Sequence, residues 1–250
     1  MHIPDGFLNN GTAGSLMATA VAVVSFAISK VRSTFLEKVP ILKMRLATFP
    51  DMGGGSETSL QSRLTKYGKE KIWRMATIGS LIFSSQMINF TIGDGTSGHL
   101  LGGVLAALIL GPFEALLVMT AILSVQAFMF GDGGILALGA NIFNMGIVGV
   151  LGGYYYFKFL TKSAKDLKKV FLKSAFVAAW LSVVFAAVAV SIEIAFSGTK
   201  SLSIVLPAMT LTHIAIGFME GGITVGVLFV LMKKNYKLEV LDIKEEIYEK

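Results

Sequence analysis

Residues 174–192 read SAFVAAWLSVVFAAVAVSI, an apolar stretch without a single Asp, Glu, Lys or Arg. Further stretches that lack all four charged residue types cover 6–29, 75–93, 95–113, 133–157 and 201–219. About 20 apolar residues span the hydrocarbon core of a bilayer as a helix, and these stretches reach or approach that length. The sequence therefore predicts an all-α protein that crosses a membrane several times.

The composition of the whole chain agrees with this prediction. Of the 250 residues 54% are hydrophobic and 15% are charged, whereas soluble domains have about 25% charged residues. Lys and Arg exceed Asp and Glu by 22 − 16 = 6. A basic excess alone could indicate nucleic acid or an anionic membrane surface, and the charge-free stretches favour the membrane. The chain has no cysteine, which excludes disulfides and thiolate metal ligands.

The number of spans depends on residues 98–130, a mostly apolar run too long for one straight crossing. Gly111-Pro112 and the lone acid Glu114 lie near its middle, and a proline interrupts helical hydrogen bonding. One kinked helix would give six spans, whereas a turn at Gly111-Pro112 would give seven. The candidate spans are about 11–29, 75–92, 98–110, 112–130, 135–158, 172–196 and 204–232.

The basic residues favour seven spans with the N-terminus outside and the C-terminus in the cytoplasm. Residues 30–74, 158–173 and the tail from 233 then hold 10, 6 and 5 Lys plus Arg, or 21 of 22. This asymmetry follows the positive-inside rule, and six spans would place the first two regions on opposite faces. The prediction is a single transmembrane domain, 1–250, in which 30–74 is a long cytoplasmic loop and 233–250 a cytoplasmic tail.

The start of the chain and the long loop raise two further points. Residues 1–29 contain no Lys or Arg, unlike the positive first region of a secretory signal, so we expect this stretch to be retained. Within the loop, 53–56 resembles a flexible linker. Residues 60–72 could form an amphipathic helix on the membrane surface, and a solvated loop is an equally good interpretation.

Two of the chain's three histidines share the external face of this topology. His2 follows the N-terminal amine, and His99 follows the glycine-rich loop 93–98. The Met1 amine, the His2 amide nitrogen and the His2 imidazole can chelate one cation in fused rings, and His99 can add a fourth nitrogen. Planar nitrogen ligation suits Ni(II) or Cu(II), and imidazole also suits Co(II). Alternatively, His2 is a disordered terminal residue and His99 a polar group at a helix start.

Five polar residues are candidates for orienting these ligands. Carboxylates and amides often hold metal-bound imidazoles through hydrogen bonds, although an acid before glycine is also typical of a turn. Three acids precede glycines, and two asparagines begin the fifth span, where they could bind the folded N-terminal segment or a neighbouring helix. The candidates are Asp5, Asp94, Asp132, Asn141 and Asn144.

Three remaining polar groups lie inside or beside the spans. His213 and Glu220 are seven residues apart and share one helix face, about 10 Å apart along the axis, so we expect them to bind neighbouring helices rather than one ion. Glu114 could face a partner protein or be a first-turn acid favoured by the helix dipole. An intramembrane enzyme would need His213 and Glu220, but no known hydrolase or protease motif accompanies them.

Four motifs resemble those of one known family. Met1–Leu8, MHIPDGFL, looks like the opening signature of the CbiM/NikM proteins, the membrane substrate-binding subunits of energy-coupling-factor cobalt and nickel transporters. The segments 94–103, 131–146 and 213–222 are similar to its later motifs. The resemblance implies seven spans and an external metal site with ligands from Met1, His2 and His99. The loop 30–74 departs from the family by its length.

The resemblance also implies partners and a place in the cell. The expected partners are a transmembrane coupling subunit, cytosolic ATPases, a small accessory membrane subunit and the lipid bilayer, with no nucleic acid. The chain itself has no phosphate-binding Gly-x-x-x-x-Gly-Lys-Ser/Thr loop and is not expected to be an enzyme. Co2+ or Ni2+ is the transported substrate, without an organic cofactor, in a multi-pass protein of a prokaryotic cell membrane.

The wording of residues 96–101, TSGHLL, resembles the cobalt branch of the family, which serves cobalamin biosynthesis. The four-nitrogen chelate fits nickel at least as well. We therefore predict cobalt over nickel, and keep a nickel-specific importer and a membrane metal sensor that does not transport as alternatives.

Overall fold

The chain folds into a bundle of helices with two short β-hairpins. The computed structural model describes residues 1–44, 56–88, 90–92, 96–164, 166–236 and 238–241. The helices are α1 (Asn10–Phe35), α2 (Lys66–Gln86), α3 (Gly103–Leu110), α4 (Pro112–Val125), α5 (Leu138–Asn141), α6 (Gly153–Thr161), α7 (Leu167–Phe196) and α8 (Leu202–Lys233). Wider π-helical turns continue α4 through Gln126–Phe130 and join α5 to α6 through Ile142–Gly152.

The mostly helical fold agrees with the prediction, and the two hairpins are additions that the sequence analysis did not foresee. Strand β1 (Leu36–Met44) pairs antiparallel with β2 (Ser56–Leu64), and β3 (Phe90–Ile92) pairs with β4 (Thr96–Gly98). The strand through residue 64 excludes one helix over residues 60–72. Helix α2 begins only at Lys66, where the Thr65 hydroxyl caps it by accepting from the Gly68 N–H at 2.9 Å. The linker-like residues 53–55 lie outside the described part of the chain.

Among the described residues, four helices are long and apolar enough to cross a membrane. They cover Asn10–Phe35, Pro112–Phe130, Lys169–Phe196 and Leu202–Lys233. The predicted span 75–92 is instead a helix that begins at Lys66 and ends at Gln86, and the predicted span 135–158 begins at Leu138 and ends at Thr161. The short third span, predicted over 98–110, is helical only from Gly103, and all eight residues of α3 are buried.

The chain reverses direction between α3 and α4. Gly111 has φ +99°, a conformation that glycine adopts without strain, and Pro112 begins α4 with Glu114 in its first turn. This turn lies beside Glu239, near the beginning of α2. We call this the lower end of the bundle, and the end that contains Met1 the upper end.

Candidate metal centre

The N-terminal segment folds back into the upper end. Met1, His2 and Ile3 are almost completely buried. The Ile3 N–H donates to Asn141 Oδ1 at 2.8 Å, and the Ile3 carbonyl accepts from Asn141 Nδ2 at 3.2 Å and from the Gly134 N–H at 2.9 Å. Because the protein satisfies the polar backbone groups of Ile3, the segment can lie in an apolar interior.

Two imidazoles meet beside this segment. The rings of His2 and His99 stack with their centroids 4.5 Å apart and an angle of 30° between their planes. Nδ1 of His99 lies 2.7 Å from the Leu100 carbonyl oxygen, so Nδ1 carries the proton and Nε2 keeps its lone pair. Nδ1 of His2 lies 2.9 Å from Asp132 Oδ1. Within the described residues neither Nε2 has a hydrogen-bond partner, which is unusual for buried polar atoms.

Burial keeps the nitrogen donors of the N-terminal segment uncharged. It lowers the pKa of the Met1 amine to about 4, against a smaller opposing effect of the Asp132 carboxylate. It also lowers the pKa of His2, which the hydrogen bond to Asp132 partly offsets. That same hydrogen bond holds the pKa of Asp132 below its usual value. At neutral pH the amine and imidazole therefore have lone pairs to donate, next to a negative carboxylate.

This arrangement can supply four nitrogens to one cation. The donors would be the Met1 amine, the amide and imidazole of His2, and Nε2 of His99. No group of three or more His, Cys, Asp or Glu side chains that could hold a metal occurs in the described residues. A metal centre here would therefore depend on backbone nitrogens, and such a donor set suits Ni(II), Cu(II) or Co(II) better than Mg(II).

The remaining predicted residues have different positions. Asp94 lies outside the described residues. Asp5 accepts from the backbone N–H groups of residues 135, 136 and 137, at 3.2, 2.8 and 3.3 Å, and so organises the loop before α5. Asn144 donates to Glu193 at 2.7 Å rather than to the N-terminal segment, since it lies almost one helical turn beyond Asn141.

The expectation that His213 and Glu220 both bind neighbouring helices is met by only one of them. Nδ1 of His213 lies 2.7 Å from the Met209 carbonyl of its own helix, so this residue does not bind a neighbouring helix through that nitrogen. The Glu220 carboxylate does reach another element, where it accepts from the N–H groups of Leu101 and Gly102 at 2.9 and 2.6 Å.

Two buried glutamines near the site were not predicted. Gln86 Nε2 donates to the Leu101 carbonyl at 2.8 Å, and Gln126 Nε2 donates to Gln86 Oε1 at 3.1 Å. Both side chains have 0% exposure. Amide side chains inside apolar, membrane-length stretches are a signal of function, and this signal was present in residues 75–93 and 112–130.

Comparison with known proteins identifies relatives of this chain. The model of the CbiM family, described as "Cobalt uptake substrate-specific transmembrane region", matches residues 58–238. A protein of Archaeoglobus fulgidus named as a fused nickel transport protein, NikMN, is 34% identical over 91% of this chain and 64% of its own length. The chain thus spans less than two thirds of that relative. The "Cobalt transport protein CbiM" of Thermosipho melanesiensis is 28% identical, over 94% of this chain and 88% of that protein.

Solved structures show the same fold. A structure titled as a truncated transition metal transporter matches with a TM-score of 0.75 and 27% identity, over 95% of this chain and all of that chain. A second transition metal transporter matches with a TM-score of 0.73 and 28% identity, over 93% of each chain.

Proposed function

The chain belongs to the CbiM family, and we propose that it is the substrate-capture subunit of an ATP-driven energy-coupling-factor importer for a divalent transition metal. We further propose that cobalt is favoured over nickel. The family description names cobalt uptake, whereas the A. fulgidus relative is named for nickel. A nickel-specific importer is the alternative, because a planar four-nitrogen site suits Ni(II).

One observation carries this proposal. Two stacked histidines, His2 and His99, each keep a buried Nε2 without a hydrogen-bond partner among the described residues, beside an N-terminal amine that burial keeps neutral. A buried nitrogen lone pair that accepts no hydrogen bond is unfavourable in a protein interior, because it has lost its hydration. A cation that accepts the Nε2 lone pair of His99 removes this penalty at that residue, and His2 would bind the same cation through Nδ1. We assign Met1, His2 and His99 as its ligands.

We propose a further step in metal loading. Fused chelation by the Met1 amine and the His2 amide requires Nδ1 of the same histidine, and this atom is hydrogen-bonded to Asp132. The imidazole therefore has to exchange the carboxylate for the metal with its proton on Nε2, and the His2 amide has to release its proton to solvent. Asp132 remains nearby as a negative charge, whereas Asp5 and Asn141 act earlier by holding the N-terminal segment in place.

We propose seven membrane spans in a single domain, 1–250, with the N-terminus outside the cell and residues 30–74 and 233–250 in the cytoplasm. The reversal of the chain at Gly111 supports the seventh span. The basic residues, 21 of 22 of which then face the cytoplasm, support the orientation. The membrane would be the cell membrane of a prokaryote.

The proposed partners are a transmembrane coupling subunit, cytosolic ATPases and a small accessory membrane subunit. A cation held by four nitrogens leaves slowly, so release into the cell requires work from outside this chain. The ATPases would supply that work through the coupling subunit.

Metal uptake by cells tests this function. Cells that express the chain together with its coupling and ATPase subunits should accumulate cobalt, nickel or both, and cells that express His99→Ala in the same assembly should not. Competition between the two metals then decides between the cobalt and nickel proposals. Uptake that is unchanged in His99→Ala, or absent from the intact assembly, would contradict the proposal.

A further inference from the structure

We propose that Gln86 and Glu220 are positioning residues for the metal ligand His99, because together they clamp the backbone that follows it. This inference rests on the proposed function, since it assigns a role within the same metal site. Neither side chain belongs to the proposed ligand set. They act on Leu101 and Gly102, two of the three residues that lead from His99 into helix α3.

The clamp binds both backbone polar groups of Leu101, the N–H and the carbonyl. The Leu101 N–H donates to Glu220 Oε2 at 2.9 Å, and the Leu101 carbonyl accepts from Gln86 Nε2 at 2.8 Å. The other carboxylate oxygen, Glu220 Oε1, accepts from the Gly102 N–H at 2.6 Å. Helices α2 and α8, which are far apart in sequence, thus meet at this short extended segment.

Burial makes these hydrogen bonds decisive for the position of the backbone. Leu101 and Gln86 have 0% exposure and Glu220 has 3%. A lost hydrogen bond in such a site cannot be replaced by bulk water, so it leaves an unsatisfied polar group. The segment consequently has one well-defined position relative to α2 and α8.

Helix α3 itself offers no local alternative to the clamp. Its N-cap residue is Gly102, with φ +71° and no side chain that could accept a hydrogen bond. A Ser or Asp commonly caps a helix from this position. Here the Glu220 carboxylate from α8 binds the N–H groups of the N-cap residue and of the residue before it, which ties the start of α3 to a distant helix.

The clamp fixes His99 because only Leu100 lies between them. The Leu100 carbonyl accepts the hydrogen bond from His99 Nδ1, so the peptide that orients the imidazole is bonded directly to the clamped residue. Two residues of chain reach at most about 7 Å, which leaves little freedom for Nε2. On the other side of the clamp, Gln126 donates to Gln86.

The test compares Glu220→Gln with a matched control, Glu193→Gln, in the purified full-length protein. Both substitutions keep the side-chain volume and remove one buried carboxylate, but Glu193 is bound by Asn144. In Glu220→Gln, an NH2 group would face one of the two backbone N–H groups. We expect a loss of Ni(II) affinity of about 10- to 100-fold, the usual effect of removing a group that orients a metal ligand.

A spectroscopic readout separates positioning from general stability. The visible absorption of bound Ni(II) in Glu220→Gln should move toward that of His99→Ala, while Glu193→Gln should keep the wild-type spectrum and affinity. Gln86→Leu, which removes the hydrogen bond that α2 contributes to the clamp, should show the same change. It replaces Glu220→Gln as the test variant if Glu220→Gln does not fold. Wild-type affinity and spectrum in a folded clamp variant, or an equal loss in Glu193→Gln, would overturn the proposal.

The same experiment distinguishes failure of the clamp from failure of the proposed function. If His99→Ala loses affinity while the clamp variants bind like wild type, only the clamp is wrong. If the wild-type protein does not bind Ni(II) or Co(II), or if His99→Ala binds like wild type, then the proposed metal site is wrong and the clamp falls with it.

Discussion

The two ends of the helix bundle treat buried polar groups in opposite ways. At the lower end, Lys71 is 1% exposed and its ammonium lies 2.5 Å from Glu239 Oε2 and 3.2 Å from the Tyr67 hydroxyl. Arg74 donates to the Ile109 carbonyl at 3.0 Å. These charges are compensated by the protein's own groups.

At the upper end, two imidazole nitrogens are left without a hydrogen bond among the described residues. His2 and His99 have 4% and 0% exposure, yet each retains an Nε2 that no described residue binds. A protein interior normally pairs its polar atoms. The contrast supports the proposal that the upper end accepts a metal ion, whereas the buried ion pair at the lower end holds the helices together.

The largest effect should come from extending the chain before Met1. A Gly-Ser-Gly extension removes the terminal amine from the site and displaces His2 from its chelating position. Structural four-ligand sites bind with about 10–16 kcal/mol, so the loss of the amine and the His2 imidazole, two of the four nitrogens, should reduce Ni(II) and Co(II) affinity at least on the order of 10,000-fold. Isothermal titration calorimetry measures this loss.

The same extension placed after Lys250 is the matched control and should bind like wild type. Equal affinity in the two extended proteins would contradict the assignment of Met1 as a ligand.

His99→Ala should have the next largest effect. It removes one of four ligands, which corresponds to about 3 kcal/mol or about 100-fold in affinity. Thr212→Ala is its control, because that hydroxyl bonds its own helix, and it should bind like wild type. An equal loss in Thr212→Ala and His99→Ala would contradict the assignment of His99 as a ligand.

Asp132→Asn should lower affinity by about 30- to 150-fold, and two opposing effects decide the sign. The substitution weakens the hydrogen bond that competes with the metal for His2, which is worth about 1–2 kcal/mol. It also removes an attraction between opposite charges, which at about 4 Å near a protein surface is worth about 4 kcal/mol. The lost charge attraction is the larger effect, so titration with Ni(II) should show weaker binding. Tighter binding would mean that the competition of Asp132 with the metal for His2 dominates.

The lower end should change stability without changing metal affinity. Glu239→Gln leaves Lys71 buried without its counter-charge and should destabilise the protein by about 1–3 kcal/mol. Lys71→Met leaves a more exposed carboxylate and should cost less. Thermal unfolding in detergent measures both, and a fall in Ni(II) affinity in either variant would break the contrast between the two ends.

Sequence patterns predicted the helices because hydropathy is a local property. The charge-free stretches contain the helices, although 75–93 and 95–113 also include strands β3 and β4, and Gly111-Pro112 marks the reversal between α3 and α4. The hairpin of β1 and β2 was missed because its strands carry mixed charges and Pro40, a composition typical of loops.

The residues of the candidate site were likewise predictable only in part. His2 and His99 stood out because histidines are rare in this chain and the predicted topology placed them on one face. The partners of Glu220 and Gln86 could not be predicted, because they are backbone groups that only the packing of α2, α3 and α8 brings near. Asn141 and Asn144 divide between the two alternatives, since Asn141 binds Ile3 of the N-terminal segment and Asn144 binds Glu193 of the neighbouring helix α7.

X-ray absorption spectroscopy of the Ni(II)-loaded, full-length protein tests the central claim most directly. We predict four nitrogen neighbours in a planar arrangement, with multiple-scattering features of two imidazoles, one of which disappears in His99→Ala. A six-coordinate spectrum dominated by oxygen, or one unchanged by the extension before Met1, would contradict a site built from Met1, His2 and His99.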